Sequence, residues 1–196
     1  CRDRVRVAQE KLARLGEGDR ARSARPLDQP LPDDPLERGY LAFAWGVPDR
    51  PKGTVDAPLD RHPHARDKMA VRKGGREAIT HWQIAERYAG ANGRPVASLI
   101  ECRLETGRTH QIRVHLAELG HPLLGDALYG GTRKGDARVK AVQTRLGRQA
   151  LHAWKLAFPH PRTGKAIRAE APIPADLRAA IESLSAQPEA TSRRAR

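Results

Sequence analysis

Cysteine, aromatic side chains and long apolar runs are all scarce in this chain of 196 residues. The two cysteines, Cys1 and Cys102, lie far apart and cannot build a disulfide framework, which favours a reducing compartment. No apolar run approaches the roughly 18 residues that a membrane-spanning helix needs, and no signal-peptide core is present. We therefore expect a cytoplasmic protein without a membrane partner.

Positive charge is what the chain has in excess. Its 36 Lys and Arg residues against 23 Asp and Glu residues give a formal net charge of +13. Such a balance favours a polyanionic partner, most often a nucleic acid. The alternative is a generic basic composition, because arginine is used far more often than lysine.

The composition divides the chain into three segments. Residues 1–35 are basic and poor in large apolar side chains, and they end in the run PLDQPLPDDP; we expect an atypical, poorly ordered segment. Residues 36–184 carry the patterns of a folded domain. Residues 185–196 are expected to form a disordered basic tail.

Short apolar and alternating runs predict strands throughout the central segment. The predicted strands are Tyr40–Val47, Gly53–Ala57, Lys68–Arg72, Ala78–Tyr88, Val96–Leu104, Leu151–Phe158 and Ala166–Ala171. A helix is predicted over Pro174–Leu184, and some helix within Arg133–Arg148. Many short strands, few helices and no βαβ rhythm indicate an α+β domain with a mostly antiparallel mixed sheet.

The most informative stretch is residues 103–131, RLETGRTHQIRVHLAELGHPLLGDALYGG. It predicts a strand end, a turn, and a helix with Thr109 as N-cap and Gly120 as its stop. Arg108 and Arg113 then lie in the turn and in the first helical turn. This is a position where a helix N-terminus favours anions and where arginine recognises them.

The run TGRTHQIRVH followed by GHPLLGDALYGG resembles the RluA family of RNA pseudouridine synthases. The motifs RGYLA, RPKGTVDAPLDRHPHARDKMAV, GREAITHW, ALHAWKLAFPHPRTG and APIPADL are similar to further parts of that family and occur in its order, from about Leu36 to Leu184. The segments YGG and RQALHA and the basic excursion are most similar to the RluD type. The resemblance implies a pseudouridine synthase-like catalytic domain that isomerises uridine in large-subunit (23S) ribosomal RNA.

The family carries its nucleophilic aspartate in a motif of the form H-R-L-D-x-x-T-S-G, upstream of the tyrosine motif. No such sequence occurs in this chain, and no nucleophile is assigned to Asp3 or any other residue. The resemblance therefore implies a truncated catalytic domain, incomplete at its N-terminus. We expect the chain as given to form no pseudouridine, and the alternative role is that of a non-catalytic RNA-binding remnant.

The resemblance implies two catalytic positions. Tyr40 matches the active-site tyrosine that packs against the flipped base, and Arg113 matches the arginine that keeps the aspartate ionised and oriented. From spacing alone, Tyr40 would be a core residue and Arg113 a solvated helix residue. Asp126 fits a turn or structural residue better than a substitute nucleophile.

Basic side chains outside these positions are candidate contacts to RNA phosphate, although each could equally lie on a solvated face. The candidates are Arg61, Arg66, Lys68, Arg108, His110, Lys134, Arg138 and Lys140. His110, His115 and His121 are spaced by five and six residues and do not form a metal-binding set. We expect RNA as the partner of a monomer that needs no metal or other cofactor.

Overall fold

The computed structural model describes residues 36–90, 92–131, 133 and 135–186. The strands in this part of the chain are β1 Glu37–Trp45, β2 Lys52–Asp56, β3 Leu59–Arg61, β4 Met69–Val71, β5 Ile79–Ala89, β6 Pro95–Leu104, β7 Leu151–Pro159 and β8 Ala166–Glu170. The helices are α1 Gln111–Glu118, α2 Ala137–Leu146 and α3 Ala175–Ser185. None of these helices combines the length and the apolar character that crossing a bilayer requires.

Strand β1 lies inside a six-stranded sheet with the order β2–β5–β6–β1–β7–β8. Every neighbouring pair in this sheet is antiparallel, and β3 and β4 form a separate antiparallel hairpin. The predicted α+β class is therefore confirmed. Since β1 is paired on both sides, its side chains reach the core only through the two faces of the sheet.

Alternate residues of β1 point to opposite faces and bury two separate apolar clusters. Leu41, Phe43 and Trp45 pack with the apolar residues of α2 and α3 on one face. Ala42 and Ala44 face the opposite way and pack with the apolar residues of α1. Helix α1 therefore lies on one side of the sheet, and α2 and α3 lie on the other.

A third, smaller cluster attaches the β3–β4 hairpin to the α1 side. Leu59 of β3 and Val114 of α1 are buried in it, and Met69 and Tyr129 pack against them. Burying a large aliphatic side chain contributes about 1.5–3 kcal/mol. The hairpin is thus held against α1 by apolar contact.

The predicted strands are found with shifts of a few residues at their ends, and the predicted C-terminal helix is α3. Strand β3 was not predicted, because its three residues are too few to show a period. Ser185 belongs to α3 rather than to a tail. The other predictions for residues 1–35 and for residues from 187 onward concern segments outside the described residues, as does Lys134.

Candidate active site and RNA-binding surface

The turn between β6 and α1 is held by the first side chain of the helix. Gln111 reaches back, and its Oε1 accepts hydrogen bonds from the backbone N–H of Arg108 at 2.9 Å and from the Thr106 hydroxyl at 2.9 Å. The N-cap is His110, whose side chain makes no capping bond. The predicted N-cap at Thr109 is therefore wrong, because the Gln111 amide satisfies the turn in its place.

The same amide begins a buried chain of hydrogen bonds that ends at His115. Gln111 Nε2 donates to the Ile79 carbonyl and to Thr80 Oγ1, each at 3.0 Å. Thr80 Oγ1 lies 2.9 Å from His115 Nδ1, and His115 Nε2 lies 3.0 Å from the Ala57 carbonyl oxygen. A carbonyl only accepts, so Nε2 carries a hydrogen; the Thr80 hydroxyl, which already accepts from Gln111, is free to donate to Nδ1. This arrangement satisfies a neutral imidazole with one donor and one acceptor.

Burial acts on His115 in the same direction. Its side chain is fully buried, and removal from water lowers the pKa of the imidazole despite the hydrogen bond to Ala57. His115 thus fits a structural residue that joins α1 to the sheet. It is placed to stabilise the neighbouring turn rather than to bind a ligand.

Arg113 and Asp126 form a buried bidentate ion pair. Arg113 Nε donates to Asp126 Oδ2 and Nη2 donates to Oδ1, both at 2.7 Å. The side chain of Asp126 is 0% exposed and that of Arg113 is 11% exposed. Asp126 Oδ1 also accepts from the backbone N–H groups of Leu128 and Tyr129 at 3.0 and 3.1 Å.

The electrostatics of the pair follow from these bonds. Burial alone would raise the pKa of Asp126, but the hydrogen bonds from Arg113 and the Tyr129 N–H outweigh it and lower that pKa. The bond to Asp126 in turn raises the pKa of Arg113. Asp126 is ionised, enclosed and occupied by four donors, so it cannot attack a nucleotide. This agrees with the structural role predicted for it.

Tyr129 contacts both Arg113 and His110. The Arg113 guanidinium carbon lies 4.9 Å from the centre of the Tyr129 ring, a cation–π contact. The Tyr129 hydroxyl accepts from the Met69 N–H at 2.8 Å and lies 2.9 Å from His110 Nδ1. Met69 opens β4, so Tyr129 connects the hairpin to the start of α1.

His110 adopts a left-handed backbone conformation, with φ of 57°. It is the only non-glycine residue with positive φ in the described part of the chain. Such strain persists where the surroundings enforce it and is concentrated at functional sites. Burial and the charge of Arg113 lower the pKa of His110. A neutral His110 then takes part in the bond with Tyr129.

Tyr40 lies on the same side of the sheet as α1. Its half-buried side chain packs against the cluster that contains Ile112 and Leu116, the residues that flank Arg113 on the buried side of the helix. Among the described residues the Tyr40 hydroxyl makes no hydrogen bond. Tyr40 and Arg113 thus share one side of the sheet, and their catalytic roles stay predictions.

Five of the predicted RNA contacts lie on the α1 side of the sheet. Arg61 and Arg66 are exposed and Lys68 is half-buried, all in or next to the loop of the β3–β4 hairpin. Arg108 is half-buried, and its Nε donates to the Glu77 carbonyl at 2.9 Å. Together with Arg108, the arginines and the lysine of the hairpin place positive charge on the same side of the sheet as Arg113, and the neutral His110 adds hydrogen-bonding capacity there.

Arg138 and Lys140 lie on α2, on the opposite side of the sheet, and do not join this surface. The Arg138 guanidinium bonds the Ala186 carbonyl at 2.7 Å and also the Ala89 carbonyl. Arg138 therefore connects the end of α3 to the end of β5. The sequence could not reveal these two bonds, because the bonded carbonyls lie 48 and 49 residues away, and a contact of Arg138 with RNA stays a prediction.

Three residues of the site, Arg38, Asp126 and Tyr129, had no predicted role or only a structural one. Arg38 donates from Nη2 to the Glu105 carbonyl at 2.8 Å, and its guanidinium lies against Gly107 in the turn before α1. The only sequence signals for them were their places in the motifs RGYLA, for Arg38, and GDALYGG, for Asp126 and Tyr129.

The fold and the site together define a domain of the pseudouridylate synthase type. The sequence profile of the family described as "RNA pseudouridylate synthase" matches residues 18–118. The chain belongs to this family, and the RluA-family, RluD-type resemblance predicted from the motifs is confirmed.

Two similar bacterial enzymes carry the same name, "Ribosomal large subunit pseudouridine synthase D". The protein from Nitrosomonas europaea is 43% identical over 156 residues, which are 80% of this chain and 43% of that enzyme. The protein from Xanthomonas campestris pv. campestris is 48% identical over 153 residues, 76% of this chain and 44% of that enzyme. The chain therefore spans less than half the length of these relatives.

Two solved human structures share the fold. Human RNA Pseudouridylate Synthase Domain Containing 1 is 26% identical with a TM-score of 0.56, over 72% of this chain and 56% of that one. Human RNA Pseudouridylate Synthase Domain Containing 4 is 22% identical with a TM-score of 0.56, over 77% of this chain and 63% of that one. At these identities the second comparison concerns the fold alone.

Proposed function

We propose that this protein is an RNA pseudouridine synthase that modifies uridine in large-subunit ribosomal RNA. The names of the two bacterial relatives support this substrate. The observation that carries the proposal is Arg113, whose guanidinium is held in a buried pair beside a basic hairpin. The net charge of +13 suits a polyanionic substrate.

The proposed reaction is an isomerisation, so the atoms balance within the nucleotide. The bond from N1 of uracil to C1′ of the ribose breaks, the base turns, and a bond from C5 to C1′ forms. The hydrogen leaves C5 and N1 gains a proton. No electrons are exchanged with another molecule, so the chemistry calls for no redox cofactor. We propose that Tyr40 packs against the flipped base.

Release of the C5 hydrogen supplies a direct test. Large-subunit ribosomal RNA transcribed with C5-tritiated uridine would be incubated with the chain, and tritium in water would be measured. Release above the background of an Arg113→Gln variant supports the proposal. Modified positions would then be mapped on the RNA. Release equal to that background argues against catalysis by this polypeptide.

A second function is RNA binding without catalysis. Two observations favour it for the 196 residues given. They contain no H-R-L-D-x-x-T-S-G sequence. The Asp126 carboxylate is occupied by four hydrogen-bond donors of the chain itself, so it does not replace the missing nucleophile. On this proposal the chain binds ribosomal RNA and releases no tritium. Product formation would exclude it, and failure to bind RNA would exclude both functions.

We further propose that the protein acts as a monomer in the cytoplasm. The described surface on the α1 side presents five of the predicted RNA contacts within one chain. Sedimentation of the free protein and of its RNA complex would test the stoichiometry.

A further inference from the structure

We propose that Asp126 and Tyr129 are positioning residues for Arg113: they fix its guanidinium in one orientation and leave one defined edge of it for an oxyanion. This rests on the proposed function, because the role of the remaining edge is assigned through RNA binding. The argument depends on how the five N–H groups of the arginine are used.

The Arg113–Asp126 pair uses one edge of the guanidinium only. Nε and Nη2 each donate one hydrogen to the Asp126 carboxylate. The edge formed by Nη1 and the second hydrogen of Nη2 makes no hydrogen bond within the described residues. That edge has the fork geometry with which arginine recognises carboxylate or phosphate oxygens.

Contact with Tyr129 restrains the plane of the guanidinium. The ring lies under the guanidinium carbon at 4.9 Å, and the ring itself is anchored through its hydroxyl to the Met69 N–H at 2.8 Å. The backbone N–H of Tyr129 also bonds Asp126 Oδ1 at 3.1 Å. Tyr129 therefore restrains both partners of the ion pair. An arginine held in this way loses little conformational entropy when it binds an anion.

The direction of the change in RNA affinity distinguishes a positioning role of Asp126 from a simple effect of its charge. Asp126→Asn removes one negative charge at nearly constant volume, and Asp67→Asn does the same at an exposed position on the hairpin loop. If only charge mattered, both variants would bind RNA more tightly. If Asp126 positions Arg113, Asp126→Asn binds more weakly, by about tenfold, while Asp67→Asn binds as tightly as the wild type or better.

The direct readout is the arginine side-chain nitrogen spectrum of the isotopically labelled chain. We expect the Arg113 Nη groups to show slow rotation and separate signals in the wild type and in Tyr129→Phe, which keeps the ring. Fast rotation is expected in Asp126→Asn and Tyr129→Leu. Short oligouridylate RNA is the binding probe, and its addition should shift the Arg113 signals.

Several outcomes overturn the inference. Fast rotation of the Arg113 Nη groups in the wild type would contradict the inference. This measurement needs no variant, so the test stays valid if Asp126→Asn fails to fold. Tighter RNA binding by a folded Asp126→Asn would contradict the inference as well. Slow rotation in a wild type that binds no RNA instead refutes the proposed function, while it supports the fixed orientation.

Discussion

The guanidinium of Arg38 lies directly against Gly107, so close that a β-carbon at position 107 would overlap its Nη1. Arg38 belongs to β1, and Gly107 belongs to the turn before α1. The contact therefore joins the strand that carries Tyr40 to the turn that carries Arg108. Glycine is needed here for close approach rather than for an unusual backbone angle.

Gly107→Ala should lower the free energy of unfolding by about 1–3 kcal/mol, because the methyl group must displace the Arg38 guanidinium. Denaturant titration measures the change. The matched test is the double variant with Arg38→Ala, in which the added methyl group meets no guanidinium. The cost of Gly107→Ala should be much smaller in that background; equal costs in both backgrounds would contradict this explanation.

Gln111→Glu should destabilise the protein by about 2–4 kcal/mol near neutral pH, although the two side chains have almost the same shape. A carboxylate cannot donate to the Ile79 carbonyl and Thr80, and it would carry a buried charge. Thermal and denaturant unfolding measure the loss. The difference in stability from the wild type should become smaller in acid, as the new carboxyl group gains a proton. Glu118→Gln, an exposed change in the same helix, serves as the control and should be nearly neutral.

Stability should fall as the pH drops below about 6.5, because the pKa of His115 is lowered in the fold and returns to that ordinary value on unfolding. The unfolded state then binds more protons, so protonation favours it between the ordinary and the lowered pKa. His110 contributes in the same direction. Urea titrations across this pH range measure the slope.

His115→Gln should be less stable at neutral pH and should show a weaker dependence on pH. His64→Gln, at an exposed position, serves as the control and should keep the full wild-type slope. A wild-type stability that is flat over this range would rule out the neutral, buried His115.

Combined alanine substitution of Arg61, Arg66 and Lys68 should weaken RNA binding and lower the slope of log affinity against log salt by about 2, if each side chain contacts one phosphate. Affinity measured at several salt concentrations gives the slope. Lys140→Ala lies on the opposite side of the sheet and should change neither quantity. A loss in Lys140→Ala about one third as large, and so equal per charge removed, would show that only total charge matters.

Arg138→Met should destabilise the docking of α3 by about 1–3 kcal/mol, because the Ala89 and Ala186 carbonyls lose their donor. Hydrogen exchange should rise at the end of α3, while RNA affinity stays near that of Lys140→Met, which removes the same charge from an exposed position. A larger loss of RNA affinity in Arg138→Met than in Lys140→Met would show that Arg138 contacts RNA.

Much of the fold could be predicted because its strands show local patterns. The alternation from Val96 to Leu104 and the apolar run from Tyr40 each predict a strand from neighbouring residues alone. The cap of α1 could not be predicted. Thr109 has the chemistry of an N-cap, but the side chain of Gln111 accepts the hydrogen bond from the Arg108 N–H in the turn. A three-residue strand such as β3 depends on its partner β4 rather than on its own pattern.

The amino-acid sequence by itself determined the fold class, the family and the position of Arg113 at the start of a helix, because these depend on local periodicity and on motif order. Only the tertiary structure decided which carboxylate Arg113 binds, and that the Arg138 guanidinium bonds the Ala89 and Ala186 carbonyls on the side of the sheet opposite α1. Those outcomes depend on which side of the sheet each helix covers and on donors and acceptors that folding brings within about 3 Å of each other.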